Sequence, residues 1–374
     1  MSCIIQHSTR GLRGDNDMNS KILTSMTGLS LLLLASQVLA QDANNRNSAE
    51  QQPVGQAPEI QQEQPEIQAI PDIGGVLTPK GRLVIEPEIQ YSHASVNRLT
   101  FRGIEILSTF LIGVFEAEDA DRDTMTASVT GRLGVTDRLE LELKVPYVYR
   151  DDTLYATVPD AQGFSTDRSL TGNGLGDIEI AAHYQMNRGQ DGWPYFIGNL
   201  RYKSTTGEGP FDIRRDADGI ERELATGSGF HSIEPSLTLL FPSDPAVYFA
   251  NFGYLYNMKD DIDEPVGDLF VGEVDPGDAV RVSFGMAYSI NERSSFTLGY
   301  KNDFINKTKT RFTDDDGNSV STQSSTLNVG SLLLGWSYQL SQDTSVNLGL
   351  ELGVTDDAPD TMLTLRIPFG MNVF

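Results

Sequence analysis

Leu139-Glu140-Leu141-Glu142-Leu143-Lys144-Val145-Pro146-Tyr147-Val148-Tyr149-Arg150 decides the fold. Leu139, Leu141, Leu143, Val145, Tyr147 and Tyr149 stand on one parity, and charged residues fill most of the other. A period of two puts the sets on opposite faces of a β-strand. From Arg82 to the end the pattern recurs about a dozen times. A barrel of that many strands is too wide for side chains to fill, so an apolar lining would stand empty or wet. The apolar face therefore points outward, into lipid. The sequence predicts an all-β protein, an antiparallel transmembrane β-barrel of about 12 strands, in the outer membrane of a Gram-negative bacterium.

The start of the chain reads as an export signal. Residues 1–40 hold a signal peptide that begins at Met18, with Lys21 as its positive region and Leu29–Leu34 as most of its apolar region. Val38-Leu39-Ala40 is the cleavage site. The apolar run is too short to span a bilayer as a helix. The only Cys is Cys3, so the mature chain has neither a lipid-anchor Cys nor a disulfide. Residues 41–78 are rich in Gln, Pro, Glu and Asn, and repeat Pro-Glu-Ile-Gln at Pro58 and Pro65. Such a segment buries too little apolar surface to order itself, and it reads as a disordered periplasmic linker. The barrel occupies 79–374.

Connections alternate in length. The short ones are Thr136-Asp137, Asn187–Pro194, Pro242–Pro245, Asn291–Arg293 and Ser341–Asp343. The longer ones are Asp151–Asn173, Thr205–Ser228, Met258–Gly277, Phe304–Thr322 and Thr355–Asp360. Bacterial barrels keep short turns in the periplasm and long loops outside. Counting gives one strand near Arg82–His93 and eleven from Thr124 onward. Ile104–Glu116 is open: a ledge, a plug, or half of a hairpin that would raise the count to 14. Aromatics near strand ends on the outward parity, such as Tyr147, Tyr149, Tyr202, Tyr254, Tyr256, Tyr288, Tyr300, Trp336 and Tyr338, suit the headgroup zone. The last strand places Leu363, Leu365, Ile367, Phe369, Met371 and Val373 on one parity and the terminal Phe374 on the other. A bulge at Phe369-Gly370 would bring Phe374 to the lipid face; otherwise the barrel assembly machinery reads Phe374 without its facing lipid.

Gly134-Val135-Thr136-Asp137-Arg138-Leu139-Glu140-Leu141 followed by Val145-Pro146-Tyr147, then Gly174-Leu175-Gly176-Asp177-Ile178-Glu179-Ile180, and finally Ile367-Pro368-Phe369 form an ordered set of motifs. Over Pro79–Phe374 that order resembles the outer-membrane transporter family named for the meta-pathway of phenol degradation. The resemblance implies a pore or transporter for small, hydrophobic or aromatic compounds, and it brings no catalytic residues.

The chain carries a net charge of −24, which disfavours nucleic acid as a partner. On the inward parity lie Arg82, Arg132, Lys144, Arg201, Lys203, Arg281, Lys301 and Arg366. Against them stand Glu86, Glu88, Glu140, Glu142, Asp177, Glu179, Glu234, Asp303 and Glu351, with His183 on the same parity. These are the candidate pore-lining residues. The two signs nearly balance, so the set reads either as a selectivity constriction or as interior salt bridges that stiffen the wall. Excess acid sits in the loops, densest in Met258–Asp278. Asp216-Ala217-Asp218-Gly219 and Asp314-Asp315-Asp316-Gly317-Asn318 resemble fragments of calcium loops, but neither completes the twelve-residue pattern, and no metal site is assigned.

Beyond residue 40 the histidines are His93, His183 and His231. No Gly-x-Ser-x-Gly elbow or His-Glu-x-x-His pair accompanies them. His231 precedes Ser232, but neighbours on a strand point to opposite faces. The sequence thus predicts no enzyme and no cofactor. It predicts a channel or transporter for small solutes, with outer-membrane lipid and the solute as partners. A structural or adhesive barrel with recognition loops is the alternative, and a barrel enzyme a lesser one.

Overall fold

The computed structural model describes residues 77–96, 117–157, 165–189, 192–215, 221–266, 269–314 and 317–373. Ile104–Glu116, the export signal, most of the linker, Asp216–Gly219 and Phe374 lie outside the described residues. No helix among the described residues is long and apolar enough to cross a membrane, which leaves crossing by strands open.

The alternating stretch at Leu139 is the lower half of a long strand. In chain order the first strands are β1 (Arg82–Val96), β2 (Ala117–Thr136), β3 (Leu139–Thr157), β4 (Ser165–Leu175), β5 (Glu179–Gln185) and β6 (Tyr195–Lys203). Then come β7 (Ser232–Ser243), β8 (Ala246–Asn257), β9 (Asp260–Val266), β10 (Leu269–Asp275), β11 (Ala279–Asn291) and β12 (Ser294–Ile305). The last are β13 (Lys309–Asp314), β14 (Ser319–Gln323), β15 (Leu327–Gln339), β16 (Ser345–Gly353), β17 (Thr361–Arg366) and β18 (Phe369–Asn372).

Fourteen of these form one antiparallel sheet, and the pairing of β1 with β17 and β18 closes it. Two staves are interrupted, β4 with β5 and β17 with β18, so the closed wall has twelve staves, as the alternation predicts. Closure removes every exposed sheet edge from the wall. The first interruption is a bulge: Val145 and Pro146 of β3 face the three residues Gly176, Asp177 and Ile178. The second is not. Register against β1 runs without a shift from Arg366↔Glu88 to Asn372↔Arg82, and Gly370 pairs in step with Val84. The bulge expected at Phe369-Gly370 is therefore absent. The ladder thins instead at two prolines: Pro87 faces Ile367 and can only accept its N–H, at 3.1 Å, and Pro368 follows without a donor of its own.

Burial confirms which face meets lipid. Leu141, Leu143, Val145, Tyr147 and Tyr149 are exposed, whereas Glu140 is buried. The same inversion holds across the wall: Ile180, Leu200, Phe252, Phe284, Leu298 and Leu348 are exposed, and Glu86, Glu88, Ser128, Thr130, Thr238, Asn347 and Thr364 are buried. A water-soluble barrel shows the opposite. Exposed Tyr91, Tyr149, Tyr202, Tyr254 and Tyr256 mark the end of the wall near the long loops, and Tyr184, Tyr248, Tyr288 and Trp336 the end near the short turns.

Several connections expected as loops are themselves strands. β3 and β4 continue as a paired ribbon beyond the wall to Thr157↔Ser165. The 258–277 and 304–322 connections fold into hairpins that join as a second sheet, in the order β14-β13-β10-β9. Phe211 and Phe230 from the 204–231 connection pack on this sheet against Val271, Val274 and Phe312. The long-loop end thus carries a folded cap with its own apolar core.

Candidate functional site

Inward side chains of neighbouring staves lie at close range, and the candidate lining residues fall into clusters. Glu88 on β1 accepts Lys144 Nζ at 2.9 Å, Ser128 Oγ at 3.0 Å and the Arg366 guanidinium, so it joins three staves besides its own. Arg132 reaches Glu86 at 2.6 Å and Glu142 at 3.6 Å. On the next staves Arg201 bridges Glu179, at 3.0 Å, and Glu234. Arg281 bridges Glu234, at 2.9 Å, and Asp303, at 3.3 Å. Lys301 pairs with Glu351. Arg82 reaches Asp343 in a short turn at 2.8 Å. These charges neutralise one another across the wall, which is the salt-bridged reading of the near-balance seen in the sequence.

Glu140, Glu142 and His183 bring ligand atoms within 4.8 Å of one another, the arrangement a metal ion would need. The surrounding contacts already occupy them. Glu140 Oε2 accepts the backbone N–H of Thr78 at 2.7 Å. Glu142 has Arg132 beside it, and His183 Nδ1 lies 2.8 Å from Asn199 Oδ1. A guanidinium within this distance supplies the positive charge that a cation would otherwise bring.

Asp177 has a different role from the one its parity suggests. Its Oδ1 accepts Gly207 N at 3.1 Å, and its Oδ2 accepts Ser228 N at 2.8 Å and Ser228 Oγ at 2.7 Å. Lys203 Nζ stands 3.7 Å away. The bulge at Gly176–Ile178 aims this carboxylate at both arms of the 204–231 connection, and Thr206 and Thr226 hydroxyls donate to Gly176 O and Leu175 O beside it. The Gly-Leu-Gly-Asp motif is therefore the pin that holds the cap on the wall. Asp177→Ala leaves three donors without their acceptor, at about 1–3 kcal/mol each for those that stay buried. The expected result is a barrel that still folds but whose 204–231 connection is cut by trypsin at Arg214 or Arg222 much faster than in the parent. Within that connection Arg214 forks onto Glu223 at 2.8 and 2.6 Å and holds its carboxyl down to about 2. Burial pushes the Arg215 guanidinium down.

One segment crosses the lumen. Leu77 precedes β1, yet it is buried against Ile197, Leu240 and Phe249 on β6, β7 and β8, the staves opposite β1. Thr78 is fastened to Glu140 as described, and the Pro79 and Thr78 carbonyls press on Gly134, where a Cβ would lie 2.1 Å from Pro79 O. Any side chain at position 134 would displace the segment. Burial of one leucine is worth about 1.5–3 kcal/mol. Sequence reading missed this apolar inward patch, because Ile197, Leu240 and Phe249 are single departures from a polar face, far apart in the chain.

A family model described as "Putative MetA-pathway of phenol degradation" matches residues 122–369. Among solved structures the chain is similar to a deltaS2 mutant of the monoaromatic hydrocarbon channel TodX, at 10% identity and a TM-score of 0.43, over 79% of this chain and 91% of that one. It is similar to the transport unit of the autotransporter AIDA-I from Escherichia coli, at 10% identity and a TM-score of 0.40, over 79% and 90%. A FadL homologue of Pseudomonas aeruginosa gives 8% identity and a TM-score of 0.38, over 79% and 91%.

Proposed function

The chain belongs to the family of the MetA pathway of phenol degradation, and on that premise we propose that it is an outer-membrane channel for small uncharged solutes, aromatic compounds among them. The observation that carries this reading is the paired lumen. The eight cations and nine carboxylates named from the sequence are tied to partners, and Arg122 and Arg150 on the same parity share Asp152, so neither sign of ion meets a focused field. The apolar outer wall supports a membrane location, with short turns in the periplasm, long loops outside, residues 1–40 removed on export and 41–78 as the periplasmic linker, its last residues Leu77 and Thr78 reaching into the barrel. Insertion by the barrel assembly machinery follows from that location. The candidate lining residues act here as a stiff, neutralised wall rather than as binding groups.

The test is uptake into proteoliposomes of a small aromatic alcohol, a sugar of similar size and a chloride salt. The aromatic alcohol is expected to enter fastest. Equal passage of all three would make the protein a general porin. The cap, with its own core of Phe211, Phe230, Val271, Val274 and Phe312, favours a second reading, a recognition surface on a closed barrel. Passage of none of the three would support that reading instead.

Leu77 bears on the same assay. Leu77→Asp puts a charge among Ile197, Leu240 and Phe249 and should expel the crossing segment. Its conductance is expected to exceed the parent's several-fold in a planar bilayer, with the heat-modifiable gel shift of the folded barrel retained.

A further inference from the structure

Along β1 the outward parity runs Ile89, Tyr91, His93, Ser95. The first two are exposed and lie against lipid. His93 and Ser95 rise above Tyr91 on the same face, because side chains two apart on a strand share a face. β2 runs beside them in register, with Asp123 opposite His93 and Asp121 opposite Ser95. His93 Nδ1 lies 2.9 Å from Asp123 Oδ1, and Ser95 Oγ lies 3.4 Å from His93 Nε2. The Tyr91 hydroxyl donates to the same Asp123 oxygen at 2.6 Å. The Ser95 hydroxyl donates to Asp121 Oδ1 at 3.1 Å and must turn from it toward His93 to react. Asp123, held by Tyr91, favours the tautomer with the proton on Nδ1, which makes Nε2 the acceptor for the serine proton after that turn. The Ser95 N–H donates to Asp360 Oδ2 at 2.8 Å, which fixes the backbone of the hydroxyl-bearing residue.

We propose that Ser95, His93 and Asp123 form an esterase centre on the outer rim of the barrel, acting on acyl esters of lipids in the outer leaflet. The site lies on the outside of the wall, so it is separate from the lumen and goes beyond the channel reading. Its surroundings fit an amphiphile. Directly below it Ile89, Tyr91, Met125 and Leu363 form an exposed apolar lane along which an acyl chain can lie. Each rung of two residues spans about 7 Å, so the ester carbonyl of a lipid in that lane sits near the headgroup level where Ser95 projects. Ser95 Oγ attacks the ester carbonyl carbon as its proton passes to His93 Nε2. Collapse of the tetrahedral intermediate breaks the acyl C–O bond, and the departing alcohol oxygen takes that proton. Water then attacks the Ser95 ester and gives a proton to His93. The fatty acid leaves as the Ser95 oxygen is reprotonated.

The three residues escaped a motif search because the pattern is His-x-Ser on a strand, completed by a residue brought in through register. The experiment uses the full chain in phospholipid vesicles, with calcium present to screen the Asp121 and Asp360 carboxylates beside Ser95. The probes are a fluorophosphonate, a soluble short-chain ester and the vesicle phospholipid itself. The expected results are one fluorophosphonate per chain on Ser95, read by peptide mass, and fatty acid released from the vesicles. Ser95→Ala and His93→Asn should each lower that release on the order of 10³-fold, and Asp123→Asn should lower kcat with KM unchanged and alter the pH profile. Heat-modifiable migration shows that each variant is folded. Equal hydrolysis by Ser95→Ala and the parent, or no label on Ser95 in a folded barrel, overturns the proposal. Hydrolysis of the soluble ester without release from vesicles overturns the lipid assignment.

Discussion

Glu88→Ala is expected to cost the folded barrel about 3–5 kcal/mol, the range for breaking a buried ion pair by removing one partner. Glu88 is the acceptor on which Lys144, Arg366 and Ser128 converge, and its side chain is only 5% exposed. Without it the cations that β3 and β17 direct at β1, Lys144 and Arg366, lose the carboxylate they share across β1 and β2. β1 with β17 is also the seam that closes the cylinder, so the loss falls where the ladder is already thinned by Pro87 and Pro368. Ser128→Ala, which removes one hydrogen bond from the same carboxylate, is expected to cost about 1 kcal/mol. The urea midpoint for folding into lipid vesicles measures both. Equal midpoints for Glu88→Ala and Ser128→Ala would show that the charge cluster does not hold the seam.

Leu143→Arg and Phe284→Arg are each expected to impair insertion, by about 2–4 kcal/mol for a cation near the bilayer midplane. Both side chains are about half exposed on the lipid face, at 47% and 56%. An arginine there has no inward partner, because its neighbours on the same face, Leu141 and Val145 for one and Tyr300 for the other, are apolar or aromatic. Leu143→Phe keeps the face apolar and is expected to insert as the parent does. The folded fraction after dilution from urea into vesicles separates the outcomes. Arginine tolerated as well as phenylalanine at position 143 would reverse the facing of the whole wall.

Much of the wall was legible because it is written locally. Alternation at Leu139–Tyr149 gives the strand and its lipid face together, and the short turns at Thr136-Asp137 and Asn291–Arg293 fix where staves end. The stave count follows from repeating that reading. What was not legible depends on contacts between distant residues. Asp177 sits on an inward parity beside lumen acids, and only the bulge at Gly176–Ile178 with the approach of Gly207 and Ser228 turns it into a pin. Met258–Gly277 reads as a solvated acidic loop, and Val271 and Val274 look incidental until Phe211, Phe230 and Phe312 arrive from other connections. Which of the two alternatives at Phe369-Gly370 holds was hidden for a similar reason: glycine permits a bulge, but pairing with β1 decides that none forms. His93 and Ser95 were in plain view as a pair, but Asp123 joins them only through the β1–β2 register.

Current through the purified protein in a planar bilayer under a potassium chloride gradient tests the central claim most directly. A pore lined by mutually neutralised charges should give small discrete steps with a reversal potential close to zero, and the steps should enlarge in Leu77→Asp. A reversal potential near that of potassium or of chloride would show an uncompensated lumen field, and silence from both the parent and Leu77→Asp would show no pore at all; either contradicts the account.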